Sequence, residues 1–172
     1  MSLTAPPPLL LGGVEIVLQA GAPDYSEDVI GGDSVLRLST GAAVKMTRYQ
    51  RHAGSISGSG WIPPGLDGLD YSAPLELKST QVSTVQGAGL SFTLPTDPRT
   101  DAAPWAFALV GDELVQTPAA TVGRAVTVTS VAGARAYQVW WFPVYSVFAR
   151  RPSRSQSSGA AVQSWSIDWE EA

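Results

Sequence analysis

The end of the chain constrains the fold most, because apolar and polar residues alternate there. Trp165, Ile167 and Trp169 are separated by single polar residues, so a β-strand would place all three on one face. Residues 137–149 are aromatic and β-branched almost without interruption, which is typical of a buried strand. Residues 150–161 are polar, basic and rich in Ser. Together these segments predict a long hairpin with a basic loop at its tip.

The composition extends this prediction to the whole chain. The 172 residues suffice for one domain with its own core. Apolar residues make up 44%, charged residues only 15%, and there are 17 Gly and 13 Pro, a profile of strands and turns rather than long helices. No segment has a convincing helical period. We therefore predict a single all-β domain over residues 1–172, a β-barrel or β-sandwich of about ten strands with little helix.

Local patterns place the first elements of this domain. We expect an extended arm over residues 1–13 that contains Pro6, Pro7 and Pro8, since proline cannot donate to a sheet. Further along, the patterns predict a strand at 14–18, a loop at 20–28, a turn at Gly31–Gly32, a hairpin formed by 34–38 and 43–49, and a separate strand at 52–57. Residues 95–104 are expected to form a surface connection.

The loop at residues 58–74 combines Gly and Pro with large apolar side chains. These are Trp61, Ile62, Leu66, Leu69 and Tyr71. A fully solvated loop would not carry them. The favoured interpretation is that the loop folds back over the core of its own domain. The alternative is that it contacts another subunit, since exposed aromatic groups often mark interfaces.

Catalytic and metal-binding patterns are weak. The chain has no cysteine, and His52 is its only histidine, which leaves no basis for a serine hydrolase or a zinc site. Asp67 and Asp70 could bind calcium, but their spacing fits no calcium loop. Carboxylate pairs for glycoside cleavage could be drawn from Asp67, Asp70, Asp112 and Glu113, without a specific spacing. We expect no enzyme activity, no metal, no cofactor and no small-molecule substrate.

The charge distribution bears on partners. A charged fraction of 15% is low for an independent soluble monomer, so we expect a partner to cover part of the surface. Arg135, Arg150, Arg151 and Arg154 are too sparse to indicate nucleic-acid binding. The apolar run at 9–11 is too short for a signal sequence or a membrane span and has no basic segment before it, so we expect synthesis in the cytoplasm.

Two segments resemble proteins of long-tailed bacteriophage tails. Residues 56–71, from Ile56 through Trp61 and the tandem Gly-Leu-Asp to Tyr71, resemble a segment of small phage tail proteins. The ending, a strand over 139–149, a polar loop and a strand over 164–171, is similar to the closing hairpin of tail-tube-fold proteins. The resemblance implies a barrel or sandwich whose copies join their sheets into a ring, as a tail tube, minor tail or distal tail protein.

This resemblance implies a structural virion protein that assembles in the bacterial cytoplasm into a homo-oligomeric ring with other tail proteins. Genome DNA would pass without specific binding. The residues expected at subunit interfaces are Pro6, Pro7, Pro8, Trp61, Ile62, Leu66, Leu69, Tyr71, Arg150, Arg151 and Arg154. The alternative function is a carbohydrate-binding β-sandwich used in host attachment, with Trp61 and Trp105 as the tryptophans free to stack on a sugar.

Overall fold

The regular secondary structure of the protein is almost entirely β-strand, which confirms the predicted all-β class. A computed structural model describes residues 6–172. The strands are β1 Leu10–Leu11, β2 Val14–Glu15, β3 Asp24–Arg37, β4 Ala43–Gly60, β5 Leu75–Lys78, β6 Ser83–Gly87, β7 Ser91–Thr93, β8 Asp97–Pro98, β9 Trp105–Val110, β10 Glu113–Thr117, β11 Ala119–Val122, β12 Ala125–Val128, β13 Ala134–Trp141, β14 Pro143–Ala149, β15 Ser153–Ser157 and β16 Val162–Glu171. A 3-10 turn spans Leu18–Ala20.

The strands form three antiparallel sheets, and none of them closes into a barrel within residues 6–172. The described residues contain sixteen strands, where the sequence predicted about ten. The predicted number of strands was too low because short turns divide segments that look continuous in sequence. For example, β11 and β12 form a hairpin around Gly123, which has a positive φ.

The chain divides into two compact units. Among the described residues, unit one contains 6–15 and 76–145, and unit two contains 16–75 and 146–172. The chain passes from one unit to the other after Glu15, within β5 and within β14. That the whole chain folds as one domain stays a prediction.

Unit one contains a β-sandwich. One sheet has the strand order β10-β9-β13-β6 and the other has the order β11-β12-β7. Their apolar side chains share one core, in which Val139 and Trp141 from β13 pack with Ala106 from β9 and Val126 from β12. Because the inward residues alternate with outward ones along each strand, the two sheets bury one face each.

The predicted N-terminal arm is shorter than expected. Its first five residues lie outside the described residues. Leu10–Leu11 forms β1 and pairs with both β2 and β5, so the extended arm does not continue to residue 13. Leu9 and Leu11 are buried, and this burial of apolar surface explains why the segment joins the sheet.

The prediction of a surface connection at residues 95–104 was wrong in part. Asp97–Pro98 forms β8 and pairs with the start of β14. Arg99 is only 1% exposed, and its guanidinium donates hydrogen bonds to the carbonyls of Pro8, Lys78 and Ser79 and to the carboxylate of Asp101. A buried cation is tolerated here because all of these acceptors surround it.

Unit two is organised around one long sheet. Strand β4 lies between β3 and β16, while β15 and the end of β14 pair with successive parts of β16 on its other side. Trp165, Ile167 and Trp169 are all buried on one face, which confirms the alternation in the sequence. The opposite face carries the serines and acids of the same strands.

The first hairpin of unit two is much longer than predicted. The segment at 20–28 was expected to be a loop with a turn at Gly31–Gly32, but β3 runs from Asp24 to Arg37 through both glycines. The separate strand expected at 52–57 is part of β4, which has 18 residues. The predicted pairing of residues 34–38 with 43–49 around a turn near 38–42 is confirmed, but both strands extend well beyond these bounds. Glycine interrupted the sequence pattern, whereas pairing between the two strands keeps the backbone extended.

The closing hairpin also differs from the prediction. Residues 137–149 belong to two strands, β13 and β14, that lie in different sheets. The basic loop expected at 150–161 contains a strand, Ser153–Ser157, that pairs with β16. Ser and Gln are poor predictors of a strand, but their backbone groups complete the ladder of β16, and their side chains stay in solvent.

Candidate subunit interface

The base of the long hairpin is a rigid platform. Trp165 lies over Gly58, where an added Cβ would be 2.7 Å from the indole ring. Trp169 lies over Gly54, where an added Cβ would collide with the Ser26 carbonyl and lie 3.0 Å from the indole ring. The indole N–H of Trp165 donates to the carbonyl of Ala20 at 2.8 Å, and Tyr25 stacks on Trp169 with ring centroids 5.8 Å apart. This packing fixes the positions from which the rest of the hairpin and the loop after β4 extend.

Beyond this platform the hairpin is a two-stranded ribbon. The pairing of β4 with β16 ends at Ala53, whereas the pairing of β4 with β3 continues to Ala43. We call residues 30–51 the distal hairpin. None of its side chains is buried. The ladder hydrogen bonds of this ribbon therefore form without a core beneath it.

A β-bulge aligns most of the apolar residues of the distal hairpin on one face, and Val35 alone of the large ones in its strands lies on the other. Gly32 pairs with Tyr49 and Asp33 pairs with Thr47, which leaves Arg48 as the extra residue. Met46 and Tyr49 are three positions apart, so a regular strand would point them to opposite faces. The extra residue restores them to the same face.

The result is an exposed apolar stripe opposite to the buried face of the base. Cross-strand partners share a face, so Ile30, Leu36, Val44, Met46 and Tyr49 lie together. We call these five residues the distal stripe. Tyr49 is 55% exposed, and Leu36, Val44 and Met46 are also exposed. An isolated hairpin with this much exposed apolar surface is typical of a segment that packs against a partner.

The loop after β4 divides into a buried and an exposed part. Leu66 is 0% exposed, Leu69 and Tyr71 are half-buried, and the Tyr71 hydroxyl donates to the Leu66 carbonyl at 2.7 Å. Trp61 is 83% exposed and Ile62 is 44% exposed. The part around Leu66 therefore caps the core of its own unit, as favoured from the sequence. The part formed by Trp61 and Ile62 is open to a partner.

A neighbouring segment enlarges the exposed part. The backbone N–H groups of Trp61 and Ile62 both donate to the carbonyl of Gln19, next to the exposed side chain of Leu18. We call Leu18, Trp61 and Ile62 the basal patch. It lies at the end of β4 opposite to the turn of the hairpin.

Acidic groups accompany the basal patch. Asp70 accepts hydrogen bonds from the backbone N–H and hydroxyl of Ser72, the hydroxyl bond being the larger effect, and these lower the pKa of its carboxyl. Burial and the carboxylate of Asp67 raise the pKa of Tyr71, and Arg151 partly opposes this. The loop over residues 61–74 contains two acids and no Lys or Arg.

The sheet of unit two is open at both sides among the described residues. Strand β3 pairs only with β4, and β15 pairs only with β16. Residues 24–33 carry four carboxylates and no cation, whereas residues 150–157 carry three arginines and no acid. One of these arginines, Arg154, forms a salt bridge of 2.7 Å with Asp67. The two edges are thus of opposite charge.

The predicted interface residues fall in separate places. Arg150, Arg151 and Arg154 lie at or beside the β15 edge, and Trp61 and Ile62 lie in the basal patch. The three prolines belong to unit one, where the carbonyl of Pro8 accepts a hydrogen bond from Arg99. Hydrogen bonds from Arg99 lower the pKa of the Asp101 carboxyl to about 2, so this anchor stays charged over the ordinary pH range.

The candidate catalytic groups take part in individual polar contacts in the described part of the chain. His52 lies 2.9 Å from a Glu27 oxygen, and its backbone N–H donates to Glu171. Asp112 lies 3.7 Å from Arg135 in unit one. No group of three or more His, Asp or Glu side chains within residues 6–172 is arranged to hold a metal ion.

The sequence did not reveal the distal stripe or the two charged edges. The available signal for the stripe was the spacing Val44, Met46, Tyr49, which fits neither a regular strand nor a helix. It becomes interpretable once the bulge is known. The edges could not be found, because the pairing order of strands is not contained in local patterns.

Comparisons of this chain with protein-family models, with curated proteins and with solved structures find no match. Within the described residues, no helix is long and apolar enough to cross a membrane.

Proposed function

We propose that the protein is a structural virion protein of a phage tail, which forms a tube or tube-like ring by assembly of identical subunits. The observation that carries this proposal is the pair of open sheet edges in unit two. A strand of 14 residues with an unpaired edge is a template for pairing with another chain, and monomeric proteins usually protect such edges.

Charge supports pairing between different edges rather than between like ones. The acidic β3 edge of one copy and the basic β15 edge of the next attract, whereas two β3 edges repel. Such a contact is heterologous, so it continues from copy to copy until a ring closes. Arg150, Arg151 and Arg154 would then have the interface role predicted for them.

The polar face of the same sheet suits a passage for DNA. Ser26 bonds to Ser55, Ser59 to Ser164, and the Ser153 hydroxyl lies 2.7 Å from that of Ser166. Hydroxyls that pair with one another, beside carboxylates such as Asp168, offer phosphate groups little attraction. In a ring that turned this face inward, genome DNA would pass without specific binding.

The test is light-scattering mass and electron microscopy of the purified protein across a concentration series. We expect rings or stacked rings of defined subunit number. Asp28→Lys on the β3 edge should lower the association constant about tenfold or more, since reversal replaces attraction by repulsion. Asp112→Lys, which is also exposed but lies in unit one, is the matched control. A monomer at all concentrations would contradict the proposal.

A carbohydrate-binding module used in host attachment is the second candidate, and the exposure of Trp61 favours it, because an open indole can stack on a sugar ring. Trp105 is less suited, since it packs against Trp140 and Phe142. Saturable glycan binding that Trp61→Ala abolishes would support this function. If Trp61→Ala did not change glycan binding, Trp61 would not be the residue that stacks on the sugar.

A further inference from the structure

The distal stripe and the basal patch are two exposed apolar surfaces at opposite ends of one strand. The stripe lies on the part of β4 near residues 44–49, and the patch begins at Trp61, directly after β4 ends. At about 3.3 Å per residue, roughly 40 Å along the strand separates Tyr49 from Trp61. The two surfaces of one copy therefore cannot meet.

The charges around the two surfaces are opposite. Residues 33–51 contain Arg37, Lys45, Arg48 and Arg51 but only one acid, Asp33, which pairs with Lys45 at 3.1 Å. No carboxylate of the described residues lies within salt-bridge distance of Arg48 or Arg51. The loop that carries the patch holds Asp67, which already pairs with Arg154, and Asp70, which has no salt-bridge partner among the described residues. Asp70 is therefore the carboxylate of the patch that is open to a cation such as Arg51.

One cation lies on the same face as the stripe. Arg51 pairs across the hairpin with Ile30, whereas Lys45 pairs with Val35 on the other face. A docked surface that covers the stripe must also meet the guanidinium group of Arg51. An exposed indole is a suitable partner, because a guanidinium and a tryptophan ring attract each other through the ring quadrupole.

We propose that the distal hairpin of one copy docks on the basal patch of a second copy, with the stripe against Leu18, Trp61 and Ile62 and with Arg51 facing Asp70. This inference rests on the proposed assembly and names a second contact within it, separate from the pairing of β3 with β15. Each copy uses its hairpin once and its patch once, so the contact is heterologous and continues along a row of copies.

The test uses Arg51→Glu, measured by sedimentation across a concentration series on the full chain. We expect the association constant to fall about tenfold or more, since a like charge would face Asp70. Arg135→Glu makes the same change of charge at an exposed site of unit one and should have little effect. Circular dichroism and the melting temperature establish that each variant is folded.

Charge rescue identifies the partner surface. Asp70→Arg alone should also weaken association, and Asp70→Arg combined with Arg51→Glu should restore most of it, since the attraction is then reversed in direction but retained. Trp61→Ala should weaken association with no loss of fold.

The outcomes separate the two proposals. Monomeric wild-type protein overturns both the ring and the hairpin contact. Wild-type assembly that is unchanged by Arg51→Glu overturns the hairpin contact alone, and so does equal weakening by Arg51→Glu and Arg135→Glu. Failure of Asp70→Arg to rescue overturns the basal patch as the docking surface.

Discussion

The base and the distal part of the β3–β4 hairpin are made from the same two strands but differ in which face is apolar. At the base, Ile56 and the glycines beneath Trp165 and Trp169 form the buried face. Beyond Ala53 most of the apolar residues lie on the opposite face and are not buried, while Val29 and Val35 stay on the first face and are exposed as well. The comparison suggests that the base serves folding and the distal part serves association.

The largest expected effect tests the base. Trp165→Ala should lower the free energy of unfolding by about 3–5 kcal/mol, because it leaves a large cavity in the packed face. Tyr49→Ala, the matched change on the distal stripe, should alter it by less than about 0.5 kcal/mol. Denaturant unfolding of both variants below the concentration of assembly measures the difference. Equal losses would mean that the distal hairpin belongs to the core.

A second test of the base introduces a larger side chain beneath Trp165 instead of removing one. A side chain at Gly58 would begin 2.7 Å from the Trp165 ring, so Gly58→Val should cost about 1–3 kcal/mol of stability. Gly68→Val is the control, since Gly68 lies in the open part of the loop with nothing within 4 Å of an added Cβ. Thermal melts should separate the two. A Gly58→Val variant as stable as the control would show that Trp165 can shift to make room for the added side chain.

A smaller effect concerns the loop that carries the basal patch. The pKa of Tyr71 is raised in the folded protein, so the unfolded chain ionises first as pH rises. Stability should therefore be complete below about pH 10 and decline above it, until the folded residue also ionises. Melting temperatures of wild type and Tyr71→Phe across alkaline pH measure this. The same decline in both would exclude Tyr71 as its cause.

The sequence predicted the parts of the fold that depend on local alternation. Trp165, Ile167 and Trp169 were placed on a buried face because apolar and polar residues alternate without interruption in that strand. The long hairpin was missed, because Gly31 and Gly32 weaken the local signal for a strand while cross-strand pairing holds the backbone extended. Arg99 was missed as well, since its burial depends on carbonyls brought from distant segments.

The interface residues were predictable only in part, because local sequence shows the type of a side chain but not its tertiary contacts. Trp61 and Ile62 stood out as large apolar groups in a loop, and the structure leaves both exposed. Leu66 stood out equally, yet it is buried in its own unit. Composition identifies which side chains need an apolar partner, but only the tertiary fold decides whether that partner belongs to the same chain.

The central claim is that the distal hairpin and the sheet edges carry association while the base carries the fold. Replacing residues 31–50 by Asn-Gly would join Ile30 to Arg51, which already pair, through a two-residue turn suited to a hairpin. We predict that light scattering finds larger assemblies for wild type and, for this folded variant, a loss of association of about tenfold or more. A shortened variant that assembles like wild type would contradict the account.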